Sequence, residues 1–222
     1  MQDARQTTIS MKLKAVRSGA LTAVLAFAAL SPMHAEEDAA ALKARVAELE
    51  KRISELETKS ASEKKLERLR EENVAKAKKR ASEDKGNYKP EELQEIETLY
   101  QVANKNWRTE EAKTSLKKLL DKYDESNRTG CATLYMGQMS EGKERIEYLT
   151  RAVEKFSDCY YLNGCQVGGY GRFVLALTLW ESGEKKEAKE LLKELKTKYK
   201  DAIDHKGRPM GELAEAAEKE LK

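Results

Sequence analysis

Three stretches of this chain close in the same way: Asp121-Lys122-Tyr123-Asp124-Glu125, Glu154-Lys155-Phe156-Ser157-Asp158 and Thr197-Lys198-Tyr199-Lys200-Asp201. Their aromatic residues are 33 and 43 positions apart. Self-similarity near a period of about 34 constrains the fold more than any bulk property, because it marks stacked helix-turn-helix units. One such hairpin cannot bury its own apolar face, so about three or more must stack into a solenoid. The longer second interval places an insert around Cys159 to Gly169. With 36% charged residues and three prolines in 222, the composition suits long helices.

Within the third unit, Leu175, Ala176 and Leu179 fall at apolar positions of a first helix, Gly183 ends it, and Ala188, Leu192 and Leu195 form the stripe of a second. This pattern resembles the tetratricopeptide repeat. The first unit repeats it with Leu99, Ala112, Leu116 and Leu119, but has Tyr100 where a small residue is usual and Trp107 in place of glycine. The second keeps Leu149, Ala152 and Phe156, with Arg145 where the second helix normally has alanine. No unit has the usual closing proline, so Asp and Ser must punctuate the helix ends. The resemblance implies three helical hairpins over residues 91–208. A further helix over 209–222, with Leu213, Ala217 and Leu221 on one face, reads as a cap.

Upstream, Leu42, Val46, Leu49, Ile53 and Leu56 alternate spacings of four and three in a stretch free of Gly and Pro. That is a heptad seam and predicts a coiled coil over residues 36–72, with Ala39, Val46 and Ile53 at a and Leu42, Leu49 and Leu56 at d. The flanking pairs Asp38 with Lys43, Arg45 with Glu50 and Arg52 with Glu57 attract between parallel chains. Lys59 with Lys64 repels, and the seam falls on Ser60 and Glu63, so the coil should fade there. Self-association follows as a dimer or trimer, β-branched a with Leu at d favouring two strands. Gly86, Asn87 and Pro90 read as a break, making 73–90 a linker. The expected fold is all-α: a coiled-coil helix followed by a short solenoid.

Residues 1–35 have the layout of a signal peptide starting at Met11: Lys12, Lys14 and Arg17, then an apolar run from Ala20 to Leu30. The run is too short to span a bilayer, so no stable membrane insertion is expected. These residues hold four of the 42 basic and one of the 39 acidic side chains, leaving 38 of each sign in the remainder. A formally neutral chain lacks the basic footprint of a nucleic-acid binder. The expected location is the periplasm, or outside the cell. An oxidising compartment permits a bond among Cys131, Cys159 and Cys165, and Cys159 with Cys165 is the local pair.

Chemistry is hard to build. His205 is the one histidine beyond the leader, and no nucleophile elbow, Walker loop or H-E-x-x-H pattern accompanies it. Carboxylates lie among lysines at helical spacing, as on a solvated helix face. No enzyme, cofactor or metal is expected. The glycines at 164, 168, 169 and 171 read as a flexible loop.

The helix around Tyr170 to Trp180 is apolar nearly all round, with Tyr170, Phe173, Leu177 and Trp180 recurring at three and four. These four are the candidate protein-binding groove, unless the Tyr160-Tyr161-Leu162 insert folds over them as core. The order of leader, coil, linker and repeats resembles the periplasmic cell-division coordinators of the Tol-Pal system. That implies an oligomeric scaffold that binds envelope proteins. A periplasmic thiol-based redox factor using Cys159 and Cys165 is the alternative.

Overall fold

The computed structural model describes residues 32–221, with side chains from Ala41. The expected leader and its Met11 start lie almost wholly outside the described residues. Among those residues there are eight α-helices and no strand, only isolated bridges. The chain divides into two compact units between Ser60 and Ala61.

The first unit is the leading part of α1 (Pro32–Asn87). Leu42, Val46, Leu49, Ile53 and Leu56 are between 46% and 65% exposed, an apolar seam that nothing among the described residues covers. The unit boundary falls where the seam was expected to fade.

The second unit is an α-solenoid. Its hairpins are α2 (Pro90–Lys105) with α3 (Glu110–Lys122), α4 (Asn127–Met139) with α5 (Gly142–Lys155), and α6 (Val167–Glu181) with α7 (Lys185–Thr197); α8 (Met210–Glu220) packs on α7 and α6. Each first helix touches the next first helix, whereas no second helix touches another. First helices therefore form the inner, tighter layer. The second helices are amphipathic, and their stripes are the predicted ones: Ala112, Leu116 and Leu119 on α3, Leu149 and Ala152 on α5, Ala188, Leu192 and Leu195 on α7, all buried. Polar punctuation replaces the closing prolines. Thr109 Oγ1 accepts from Ala112 N at 3.1 Å and Ser126 Oγ from Thr129 N at 3.1 Å, capping α3 and α4.

The second unit of the repeat departs from the pattern for a visible reason. Arg145, at the alanine position, is half-buried, and its buried Nε has no hydrogen-bond partner among the described residues.

The linker expected over 73–90 is corrected. The chain is helical to Asn87, breaks only at Tyr88 and Lys89, and buries Asn73, Ala77 and Asp84. Glycine and asparagine end this helix but do not loosen the turns before them, because polar side chains anchor those turns to the solenoid. Residues 70–88 form a strap across the loops that join one hairpin to the next. Asp84 accepts from Asn127 N at 2.9 Å, at the start of α4. Arg80 donates to Glu125 O at 3.1 Å and to Asp158 Oδ2 at 3.2 Å. Asn73 Nδ2 donates to Asp201 O at 2.9 Å, and Arg70 Nε to Gly207 O at 3.1 Å. Tyr88 meets Tyr123 edge-on at 5.7 Å. One helical segment thus holds all three inter-repeat loops.

Candidate functional site

The inner layer carries a continuous strip of aromatic rings. Tyr100 on α2 stacks on Tyr135 of α4, centroids 5.6 Å apart and planes within 13°. Trp107, in the turn after α2, meets Tyr135 edge-on at 4.9 Å. Tyr161 from the insert lies 5.3 Å from Tyr135 and 4.5 Å from His205, whose ring also meets Tyr170 of α6 at 4.9 Å. Ring pairs in such offset and edge-on geometries contribute about 0.5–1.5 kcal/mol each beyond their buried area. Tyr100 and Tyr161 are buried; Tyr135 and Tyr170 are half-buried, and Trp107 and His205 are exposed.

Two loops build the His205 end. The insert and the α7–α8 loop pair through a Cys165–Ile203 bridge, and Asn163 Nδ2 donates to His205 O at 3.2 Å. Asp204 is buried and accepts from Lys206 N and Arg208 N, both at 2.8 Å, locking the turn that presents the imidazole. Although one side of the ring is open to solvent, its contact with Tyr161 and Tyr170 partly desolvates it, which lowers the His205 pKa below its ordinary value and favours the neutral ring, against the neighbouring Asp204 charge. Gly164 lies in the left-handed region at φ +88° and its α-carbon abuts the strap, where a β-carbon would stand 2.9 Å from Val74 N. The glycine patch is therefore tight packing and not the flexible loop expected of it.

The four expected groove residues meet different neighbours, although Tyr170, Phe173 and Leu177 all touch one cluster. Tyr170 joins the aromatic strip. Phe173 and Leu177 pack against the cluster formed by Ala176, Leu192, Leu195, Met210 and Ala214, between α6, α7 and α8. Trp180 lies under Lys185 and Lys189, whose ammonium groups stand 5.0 and 5.7 Å from its ring. A helix apolar on all sides is divided among three neighbours: strip, capping helix and lysine stems.

A model of the tetratricopeptide repeat matches residues 171–202, which run from α6 through α7 to the loop that follows. The chain contains a tetratricopeptide repeat. No curated protein and no solved structure matches it, so the likeness to the Tol-Pal coordinators gains no support there. The matched repeat is the one whose sequence fits the pattern best; the hairpin α4–α5 packs on its first helix, and α2–α3 packs on α4 in turn.

Around the tetratricopeptide repeat the chemical groups are placed for packing. Cys131, Cys159 and Cys165, among which the sequence permits a bond, are free, buried thiols in this structure. Cys159 is wedged against Gly130, where a β-carbon would stand 2.6 Å from its Sγ, and receives a hydrogen bond from Arg80 at 3.8 Å. Burial pushes the Cys159 thiol up to about 12 despite that guanidinium, and raises Cys131 and Cys165 as well. Low-pKa, accessible thiolates make redox chemistry, so this environment opposes the thiol-based alternative. A tetratricopeptide-type helical repeat is typically non-enzymatic, and its usual work is holding other proteins. No described helix is long and apolar enough to cross a membrane.

Proposed function

We propose that the chain is an exported, periplasmic scaffold that self-associates through α1 and holds envelope proteins on the inner layer of its solenoid. The tetratricopeptide repeat at 171–202 carries the reading. Its support at the other end is the seam from Leu42 to Leu56, exposed in a single chain and flanked by charges that attract in parallel register. Export is supported by Lys12, Lys14, Arg17 and the apolar run that follows.

The test combines mass and capture. Light scattering of the wild type should give a dimer or trimer, and Leu49→Asp with Ile53→Asp should reduce it to one chain without loss of helicity in the solenoid. Immobilised wild type should retain proteins from an envelope fraction. A monomeric wild type would remove the coiled-coil part, an empty capture the scaffold part, and a reporter fusion held in the cytoplasm the periplasmic part.

A further inference from the structure

Because α5 and α7 each pack on α6 and not on one another, the gap between these two second helices is a groove with α6 as its floor. Leu175 and Leu179 lie in that floor and Val153 beside them, all buried. Ile146 and Thr150 continue the α5 wall and Leu191 the α7 wall, each half-buried. Two hollows, of about 670 and 400 Å³, lie along the groove and end on neighbouring residues of α6, Thr178 and Leu179. Ile146, Thr150 and Val153 follow the spacing of one helix face, and Glu187, Leu191 and Glu194 repeat it on the opposite wall. Walls of that spacing run about 10 Å over seven residues and accept an amphipathic helix with anchors at the same intervals.

Charge then decides what kind of helix. Eight glutamates and four basic residues line the two hollows, a twofold acidic excess in a chain that is formally neutral beyond its leader. Lys143 pairs with Glu147 at 3.6 Å, and Arg172 and Lys198 share Glu194 at 2.8 and 3.0 Å. Glu190 meets Lys193 at 4.0 Å, and Glu141, at the far end, lies in the field of Lys113. What is left without an ion pair among the described residues is two cations, Arg145 and Lys186, against four exposed carboxylates, Glu154, Glu181, Glu184 and Glu187. The other cations of the walls serve elsewhere: Arg151 and Lys155 line a separate hollow beside Arg80, Lys185 and Lys189 cover the Trp180 ring, and Lys196 pairs with Glu218 at 2.6 Å. Glu154 and Glu187 stand on opposite walls of one hollow, on either side of the apolar floor. An acidic helix laid there would meet like charge, whereas a basic one sets its stems along the apolar rims and its cations beside the carboxylates.

We propose that the groove between α5 and α7 binds a basic amphipathic helix of a partner protein, its apolar face on Val153, Leu175 and Leu179 and its cations at Glu154 and Glu187. This is a second face, separate from the inner layer of the reading above. The probes are three end-blocked peptides of about three helical turns: a leucine-lysine helix with leucines at i, i+4 and i+7, the same helix with glutamate for lysine, and a scramble of the first that has no apolar face. Each is titrated by calorimetry into the full chain as wild type, as Glu154→Lys with Glu187→Lys, and as Glu212→Lys with Glu215→Lys, an equal change of charge on α8. All four altered side chains are exposed and without an ion pair, so the variants should keep their fold, which circular dichroism checks. The basic amphipathic helix should bind the wild type best, and the groove pair should weaken it about tenfold, which corresponds to about 1.4 kcal/mol, with little change in the α8 pair. Equal loss in both pairs, or equal binding of the scramble, would reduce the effect to general attraction between charges and overturn the assignment. So would preference for the acidic helix, binding unchanged in the groove pair, or a wild type that binds no peptide. Retention of envelope proteins is a separate readout: its absence sinks the inner-layer scaffold, and loss of the peptide result alone sinks only the groove.

Discussion

Asp204 shows how a single side chain sets the geometry of the strip. Besides the two backbone N–H groups, it accepts from Arg208 Nε at 2.8 Å. Burial alone would favour the protonated acid, but the hydrogen bonds from Arg208 and Lys206 outweigh it and hold the carboxyl below its ordinary value. A carboxyl depressed on folding adds stability above its unfolded pKa, near 3.9, and that stability is lost as pH falls through the folded value. Asp204→Asn should therefore cost about 1.5–3 kcal/mol in urea unfolding at pH 7, with the gap to wild type closing under strong acid. His205 has the complementary dependence: its neutral form is favoured, so its contribution is full above about 6.5 and declines as pH falls through that value. A proton resonance of His205 that titrates at or above the ordinary midpoint would contradict this desolvation between the two tyrosine rings. The strip itself has a sequence signal that the repeated helix ends conceal. Tyr100, Tyr135, Tyr170 and His205 are each 35 residues apart, but the shared helix ends, 33 and 43 apart, hid that period. The ends report where second helices stop; the rings report the inner layer, and the insert after Phe156 restores their spacing.

At the scale of elements, what was legible was whatever buries a regular apolar stripe. The second helices α3, α5 and α7 each present one, so their core residues could be named from spacing alone. The strap could not, since its anchors are Asn73, Arg80 and Asp84 and no hydrophobic period marks them. Asn73 and Asp84 are 1% and 5% exposed, a burial that follows from polar groups on loops distant in sequence. Asp84→Ala should cost about 1.5–3 kcal/mol, because it leaves Asn127 N without its charged acceptor and removes the nearest of the carboxylates that Arg80 pairs with. Hydrogen exchange should accelerate in residues 123–127 and 156–166 before it does in α7; uniform acceleration would show that the strap does not act locally. The sides of α6 were hard to assign for a related reason. An all-round apolar helix cannot disclose which neighbour takes which side, and here α8 takes Phe173 and Leu177.

For the molecule as a whole, the three thiols provide a probe of integrity. All are buried and their pKa values are raised, so a disulfide reagent at neutral pH should find almost no reactive sulfur in the folded chain and three in urea. Rapid labelling of even one under native conditions would contradict the burial. Solenoids ordinarily unravel from their ends, since each repeat contacts only its neighbours. Here Arg70 and Asn73 bond residues 137 and 128 positions further along. Such distant closures raise the contact order and slow folding. A ribosome delivers the strap long before the last loop exists to receive it. The growing chain therefore passes through a stage in which the earlier hairpins can form but the strap has no complete track to lie on, and release of the last loop, not of any single repeat, sets the moment at which the fold can close.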